Sequence, residues 1–253
     1  MRRPGQFARS TARASMRRTL RGTWHLLVLA ALLALAFDAF TFLLLPLGSW
    51  VRGFLCGAVT TGVAAGGYEA VVGGSPGAFW RLRGADAETW TSSAFTSRRR
   101  HHAGWRIVHG LLLNDHDIDH IAVGPAGVLA VETKWIGAIE TCALGPDGLV
   151  GCRGRDPVEQ ALTSAAKTRS FMRSATGGSP VDVEVQPLLV LWGPAAPELP
   201  EPVDRRGVTL IDGRSRRQWR EVLDESGPMT PQLEAAARKV LNYAAVHRRD
   251  DGP

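Results

Sequence analysis

The sequence predicts an α/β fold with a mixed sheet, preceded by two apolar helices. Three observations predict it. From residue 84 onward the patterns run helix, strand, hairpin, helix, strand, an order that builds a partly parallel sheet covered by helices. Two apolar runs, Ile118 to Val123 and Val128 to Val131, flank Gly124-Pro125-Ala126-Gly127 and read as a β-hairpin. Residues 26 to 45 carry one charge, Asp38, over a length that spans a bilayer.

Taken in order, residues 1 to 23 are a basic tail, Arg-rich with Ser, Thr and Ala, and composition marks the tail as disordered. Residues 24 to 73 read as a transmembrane helical hairpin. Its first span ends at Pro46-Leu-Gly-Ser, and its second is weaker and rich in small residues. Gly53-xxx-Gly57 and Gly62-xxx-Gly66 are spacings that let membrane helices approach closely. Asp38 is then either a helix-interface polar group or a sign of an imperfect span. The arginines before residue 22 hold the N-terminus in the cytoplasm. Two spans return the next domain there, and Arg81, Arg83 and Arg98 to Arg100 agree. A cleaved signal, with Ala34-Leu35-Ala36 as its processing site, is a second reading of the same run. A buried helical pair in a soluble protein is a third.

Residues 74 to 83 form a Gly/Pro/Arg linker before a domain of residues 84 to 213. A helix starts at Gly84-Ala-Asp-Ala-Glu88 and runs to about Arg100. Arg98-Arg-Arg-His-His102 ends it, as the helix dipole favours, or forms a phosphate-binding patch. Trp105 to Leu113 is the first strand. The hairpin comes next, and then a loop or second small hairpin around Leu144-Gly-Pro-Asp-Gly-Leu149. Asp156-Pro157 starts the next helix, Asp as cap and Pro at the first helical position. It runs to about Ala175 with Val158, Leu162, Ala165 and Met172 as an apolar stripe. Val183 to Trp192 and Gly207 to Ile211 are strands joined by a Pro-rich loop. Residues 214 to 253 hold a basic helix from Arg214 and an amphipathic helix from Thr230-Pro231. Leu233, Ala237, Leu241 and Ala244 form the apolar face of the latter.

Net charge is +6 over 253 residues. Seven arginines before residue 22 account for it, and the balance from residue 22 onward is about −1. Bulk charge therefore gives no argument for nucleic acid, and any such surface is local. Cys56, Cys142 and Cys152 form no disulfide framework, although Cys142 and Cys152 flank a hairpin. In a reducing cytosol free thiols are expected, and zinc spacing is lacking.

The hairpin carries the chemistry. With the turn centred between Pro125 and Ala126, Asp119 falls opposite Glu132 and Asp117 opposite Lys134. Partners share a face with Cβ atoms roughly 5 Å apart, and alternation adds Lys134 to the face of Glu132. Ile121 and Ala130 lie on that face, and Ile118, Leu129 and Val131 on the other. Opposed carboxylates need a cation or a shared proton, and hard oxygens suit Mg²⁺ or Mn²⁺. The alternative is a solvated face of ordinary ion pairs. His116 and His120 alternate to the face opposite Asp119, as surface or hydrogen-bonding groups.

Asp119, twelve intervening residues and Glu132-Thr133-Lys134 resemble the D…(D/E)xK signature of the PD-(D/E)xK nuclease superfamily. Asp-Ile-Asp-His-Ile-Ala-Val-Gly-Pro-Ala-Gly-Val and Val-Glu-Thr-Lys resemble more closely the nuclease-related domain, NERD, over Gly84 to Trp192. Ile118 stands where the superfamily's name has proline. The resemblance implies a restriction-endonuclease-like αβββαβ core and an Mg²⁺- or Mn²⁺-dependent nuclease acting on DNA, which the apolar helices of residues 24 to 73 would anchor in the membrane. It implies Asp119 and Glu132 as metal ligands, the Thr133 carbonyl as a third, and Lys134 beside the water and phosphate. Glu88 and Gln160 are implied as supporting groups, against solvated helix residues as the ordinary alternative. Expected partners are DNA and, through residues 24 to 73, the bilayer, with the domain facing the cytoplasm. The competing function is a non-catalytic nucleic-acid-binding or interaction module on the same scaffold, and an exported protein acting on extracellular DNA is a further one.

Overall fold

The computed structural model describes residues 6–44, 48–73, 77–97, 104–113, 116–138, 140–152, 154–223 and 227–247. The chain divides into two compact units, residues 7–82 and, in the main, residues 83–253. Arg98 to His102, Asp115, Pro46 and the arginines at 2 and 3 lie outside the described residues.

The first unit is helical. Helix α1 covers Gln6–Leu44 and α2 covers Ser49–Gly73. The basic segment expected to be disordered is helical from Gln6, because its Arg and Ala residues are strong helix formers and continue without a break into the Leu/Ala run. Among the described residues one helix is long and apolar enough to cross a membrane, spanning Arg9–Leu43, and not two. In α2 the glycines, two threonines and Glu69 dilute the apolar run. Most large apolar side chains of α1 are exposed, Leu43 at 78% and Phe42 at 67%, as a lipid-facing or unpartnered surface requires. Cys56 of α2 neighbours Asp38 of α1, which favours the helix-interface reading of that carboxyl. The Gly53, Gly57, Gly62 and Gly66 spacings do not serve helix contact here, since all four face open space. The close approach is at Gly67, where a Cβ would lie 3.2 Å from the Leu27 side chain.

The second unit is a three-layer α/β/α arrangement. Helix α3, Ala78–Ser97, starts inside the segment expected as linker. Past Gly77, whose φ of 75° breaks the chain direction, Ala-Phe-Trp-Arg-Leu-Arg is a helix-forming run. Strands β1 (Arg106–Leu113), β2 (His116–Gly124) and β3 (Gly127–Trp135) form an antiparallel meander. A small hairpin, β4 (Ala143–Leu144) and β5 (Leu149–Val150), precedes α4, Pro157–Arg173. Strand β6 (Val185–Trp192) then returns parallel to β3, and β8 (Val208–Asp212) parallel to β6. Strand β7 (Val203–Arg205), absent from the sequence reading, pairs antiparallel with β8. The six-stranded order is β1-β2-β3-β6-β8-β7, the mixed sheet that the alternation of elements predicts. Helices α5 (Arg216–Val222) and α6 (Pro231–His247) complete the unit.

Each face of the sheet has its own core. Val108, Ile121, Val128 and Ala130 pack with Phe171 and Met172 of α4 and Ala237 and Val240 of α6. Ala122, Leu129, Val131 and Val190 pack with Phe95 of α3 and Trp219 of α5. On α6 the buried face is Ala236, Ala237, Val240 and Ala244. Leu241, expected there, is 37% exposed. Helix α4 begins as its sequence predicts, with the Asp156 carboxylate accepting from the Val158 N–H at 2.9 Å, a cap worth about 1 kcal/mol. In the turn of the β2–β3 hairpin, Gly124 is required by close approach, because a Cβ there would lie 2.1 Å from the Trp105 ring.

Cys142 and Cys152 are joined across the β4–β5 hairpin, with Cα atoms 4.4 Å apart, so the expectation of free thiols fails for this pair. The Gly-Pro-Asp-Gly turn brings the chain back on itself, and the hairpin packs into a third core group with Val158 and Leu189. Cys56 remains a free thiol.

Candidate metal centre at the strand fork

The β2–β3 ladder runs from Gly124↔Gly127 to His120↔Val131 in the register expected from the turn, and there it ends. Asp119 and Glu132 are the next residues on each strand, where the two strands part. Asp119 does not complete a ladder pair. Its Oδ2 accepts the Thr133 N–H at 2.7 Å, so a carboxylate replaces a backbone carbonyl in the ladder. Asp117, expected opposite Lys134, lies past the end of the pairing and is exposed.

On β1 the partner position is also irregular. Gly110 has φ 59° and is not paired with Asp119, although His109↔His120 and Leu111↔Ile118 flank it. The alternation slips at this point. Ile118 and Ile121, three residues apart, both join the core under α4 and α6, so the expectation that Ile118 takes the other face fails.

Glu132 is held from α4. Ser164 Oγ donates to its Oε2 at 3.0 Å, and His116 Nε2 lies 3.1 Å from the same hydroxyl. Thr133 turns to the other layer. Its hydroxyl bonds Thr91 of α3 at 3.2 Å, and Thr91 also accepts the Trp192 indole N–H at 2.8 Å. Trp90 packs between Trp135 and Trp192, with ring centroids 5.7 and 5.4 Å away. These contacts fix α3 against the ends of β3 and β6, and Glu88 lies on α3 one turn before Thr91 and Ser92.

The electrostatics gather the expected groups. Burial raises the Asp119 carboxyl well above its ordinary range, the charges of Glu132 and Glu88 add to this, and the Thr133 N–H offsets part of it. Burial pushes Glu132 up to about 7, against the lowering effects of the Ser164 hydrogen bond and the Lys134 charge, with Glu88 and Asp117 adding to the rise. Asp119, Glu132, Lys134 and Glu88 thus sense one another. Gln160 stands one turn before Ser164 on α4, half-buried, and among the described residues no hydrogen bond joins its side chain to the carboxyls.

A divalent cation fits this donor set. Two carboxyls at a strand fork are hard oxygen donors whose mutual repulsion a cation removes. Among the described residues no cluster of three or more His, Cys, Asp or Glu side chains forms a metal cage. The fork offers two carboxylates, and water would complete the shell, a set that suits Mg²⁺, which keeps several waters.

Sequence reasoning gave Ser164 no role, and it assigned His116 to the wrong surroundings. Ser164 is 32 positions from Glu132, and only the β3–α4 crossover brings them together. Alternation sent His116 away from the carboxyls, and the slip at Asp119 returns it. His120 does take the opposite face, where it is fully buried with its Nδ1 2.8 Å from His109 Nδ1.

These shifts make stability depend on pH. Between the ordinary glutamate range and about pH 7 the folded chain holds a proton on Glu132 that the unfolded chain has released. The metal-free protein therefore loses stability as pH rises through that window, on the order of 3 kcal/mol. His109 acts oppositely. Burial lowers it to about 4, so stability rises with pH from about 4 to the ordinary histidine range. Glu132→Gln removes the first effect and leaves that of His109 in place. Thermal unfolding without metal should show the variant more stable than wild type at pH 8 and similar to it at pH 5. Equal curves at pH 8 would show that Glu132 is not raised.

The family model of the nuclease-related domain, NERD, matches residues 83–192. This segment runs from α3 through β6 and contains the fork, Glu88, Gln160 and Ser164. No curated protein and no solved structure matches the chain significantly. The sheet order, the fork and the matched segment agree, and residues 83–192 are similar to the nuclease-related domain.

Proposed function

We propose that the chain is a membrane-anchored, metal-dependent nuclease that hydrolyses DNA phosphodiester bonds. The observation that carries this reading is the fork, where a chain similar to the nuclease-related domain brings two raised carboxyls and a lysine together at the end of a ladder. Asp119, Glu132 and the Thr133 carbonyl would hold Mg²⁺ or Mn²⁺, which supplies Lewis acidity toward water and phosphate. The Thr133 N–H keeps Asp119 in place, and Ser164 keeps Glu132 in place. Lys134, on the Glu132 face of β3, orients the attacking water or donates to the phosphate oxygen on which charge grows. Glu88 adds negative charge that strengthens cation binding, and Gln160 supports from α4.

The test uses the full chain in detergent with linear and circular DNA, Mg²⁺ or Mn²⁺, and an EDTA control. Cleavage that EDTA abolishes is expected. Metal binding without cleavage of DNA or RNA would instead support the non-catalytic module, and absence of both would sink the metal centre.

Helix α1 supplies the anchor. The cytoplasmic placement needs two spans, and among the described residues one helix qualifies. With arginines 9, 13, 17, 18 and 21 on its N-terminal side, a single span or a signal delivers the nuclease-related domain to the far side of the membrane. A C-terminal alkaline phosphatase fusion should be active and a green fluorescent protein fusion dark. The reverse pattern would restore the two-span arrangement.

A further inference from the structure

We propose that His116 and Ser164 are positioning residues for the metal ligand Glu132, acting as a directed chain from imidazole to hydroxyl to carboxylate. The inference rests on the metal-dependent reading above. Ser164 is fully buried on α4, and its hydroxyl has one proton. That proton goes to Glu132 Oε2 at 3.0 Å, which leaves the oxygen's lone pairs for a donor. His116 Nε2, at 3.1 Å, is that donor, so the imidazole carries its proton on Nε2. A ligating carboxylate is ionised and only accepts, so a bound cation fixes the direction of the whole chain. With Oε2 engaged by the protein, Oε1 would be the atom offered to a cation. Hydrogen-bond partners of metal ligands orient them in this way, and their loss costs typically 10- to 100-fold in metal affinity.

The topology explains why three distant residues meet. Glu132 is on β3, Ser164 on the crossover helix after it, and His116 at the start of β2, where the strands have parted. His116 reaches α4 because the side-chain alternation slips between it and His120. Neither His116 nor Ser164 touches the reacting atoms in this arrangement. Their effect passes through Glu132.

The test measures Mn²⁺ binding by calorimetry on the full chain in detergent, for wild type, Ser164→Ala, His116→Leu, His116→Gln and the double variant Ser164→Ala/His116→Leu. Ser164→Ala and His116→Leu should each raise the Mn²⁺ Kd by about 10-fold. His116→Gln, whose amide N–H replaces the Nε2 donor, should recover most of the wild-type value. The double variant should be no weaker than Ser164→Ala, because both act through one hydroxyl. Nitrogen-15 chemical shifts of the Mg²⁺-bound wild type should show the Nε2-protonated tautomer of His116. His116 is half-exposed, so its two variants decide the matter even where Ser164→Ala fails to fold. Unchanged affinity in His116→Leu, a His116→Gln as weak as His116→Leu, or an Nδ1-protonated tautomer overturns the proposal while leaving the metal centre intact. A wild type that binds no Mn²⁺ overturns both.

Discussion

Glu132→Ala and Lys134→Ala should each reduce metal-dependent DNA cleavage by about 10³-fold or more, with different signatures. Glu132→Ala removes one of two carboxylate ligands, so its loss should appear first as weaker Mn²⁺ binding. Raising Mn²⁺ should recover part of its rate. Lys134→Ala removes no ligand. It should bind Mn²⁺ as tightly as wild type or more loosely by a small factor, and its rate should stay low at saturating metal. Lys134→Arg should not rescue it, because a planar guanidinium does not replace a compact ammonium beside a carboxylate in a confined fork. The signatures exchange sign in stability. Lys134 lowers the cost of keeping Glu132 ionised, so Lys134→Ala should destabilise the metal-free protein at pH 8. Glu132→Ala removes a carboxyl whose ionisation burial disfavours, and should stabilise it. Single-turnover cleavage across a metal titration, beside thermal unfolding without metal, separates the two residues. Equal metal affinity in wild type and Glu132→Ala would show that Glu132 is not a ligand.

What was legible in the sequence was local in the chain. The β2–β3 register came from Gly124 to Gly127, because a short turn fixes every pair beyond it. The start of α4 came from Asp156-Pro157, whose cap acts within two residues. The site's outline, Asp119 against Glu132 with Lys134 one alternation on, came from the same turn. The rest depended on contacts that no local pattern carries. Ser164 reaches Glu132 only after a parallel crossover. His116 was misplaced because strict alternation does not survive the break at Gly110 and Asp119. Strand β7 is three residues of Val-Asp-Arg whose pairing with β8 supplies the pattern that its own sequence lacks. In the first unit, glycine spacing pointed to a helix contact, while the approach occurs at a different glycine. Small residues allow close packing, but the partner's side chains choose which of them is used.

Gly193→Ala should be the most disruptive single-methyl change in the second unit. Gly193 comes directly after β6 and has φ 112°, outside the range that side-chain-bearing residues adopt readily. A Cβ there would lie 2.1 Å from the Ile136 carbonyl oxygen and 2.9 Å from its carbon. These are backbone atoms of a fully buried residue, so no rotamer relieves the overlap. Ile136 is itself fixed, its N–H donating to the Trp192 carbonyl at 2.8 Å. The chain must therefore give way where β3 and β6 end together, two residues beyond Lys134. Backbone strain alone costs about 1–3 kcal/mol, and displacing a buried peptide adds to it, so a loss of about 4 kcal/mol is expected. For a unit of this size that lowers Tm by roughly 8–16 °C. Gly207→Ala is the control, since its φ of 78° is also positive but its Cβ meets open space, and it should cost only the dihedral strain. Tryptophan fluorescence melts of the two variants compare them directly, with Trp135 and Trp192 reporting at the strand ends. Because Ile136 directly follows the strand that carries Lys134, Gly193→Ala should also lower the cleavage rate at temperatures where it remains folded, and Gly207→Ala should not. Equal melting temperatures for the two variants would mean that Ile136 yields freely, and the ends of β3 and β6 would then be too soft to hold Lys134 in register.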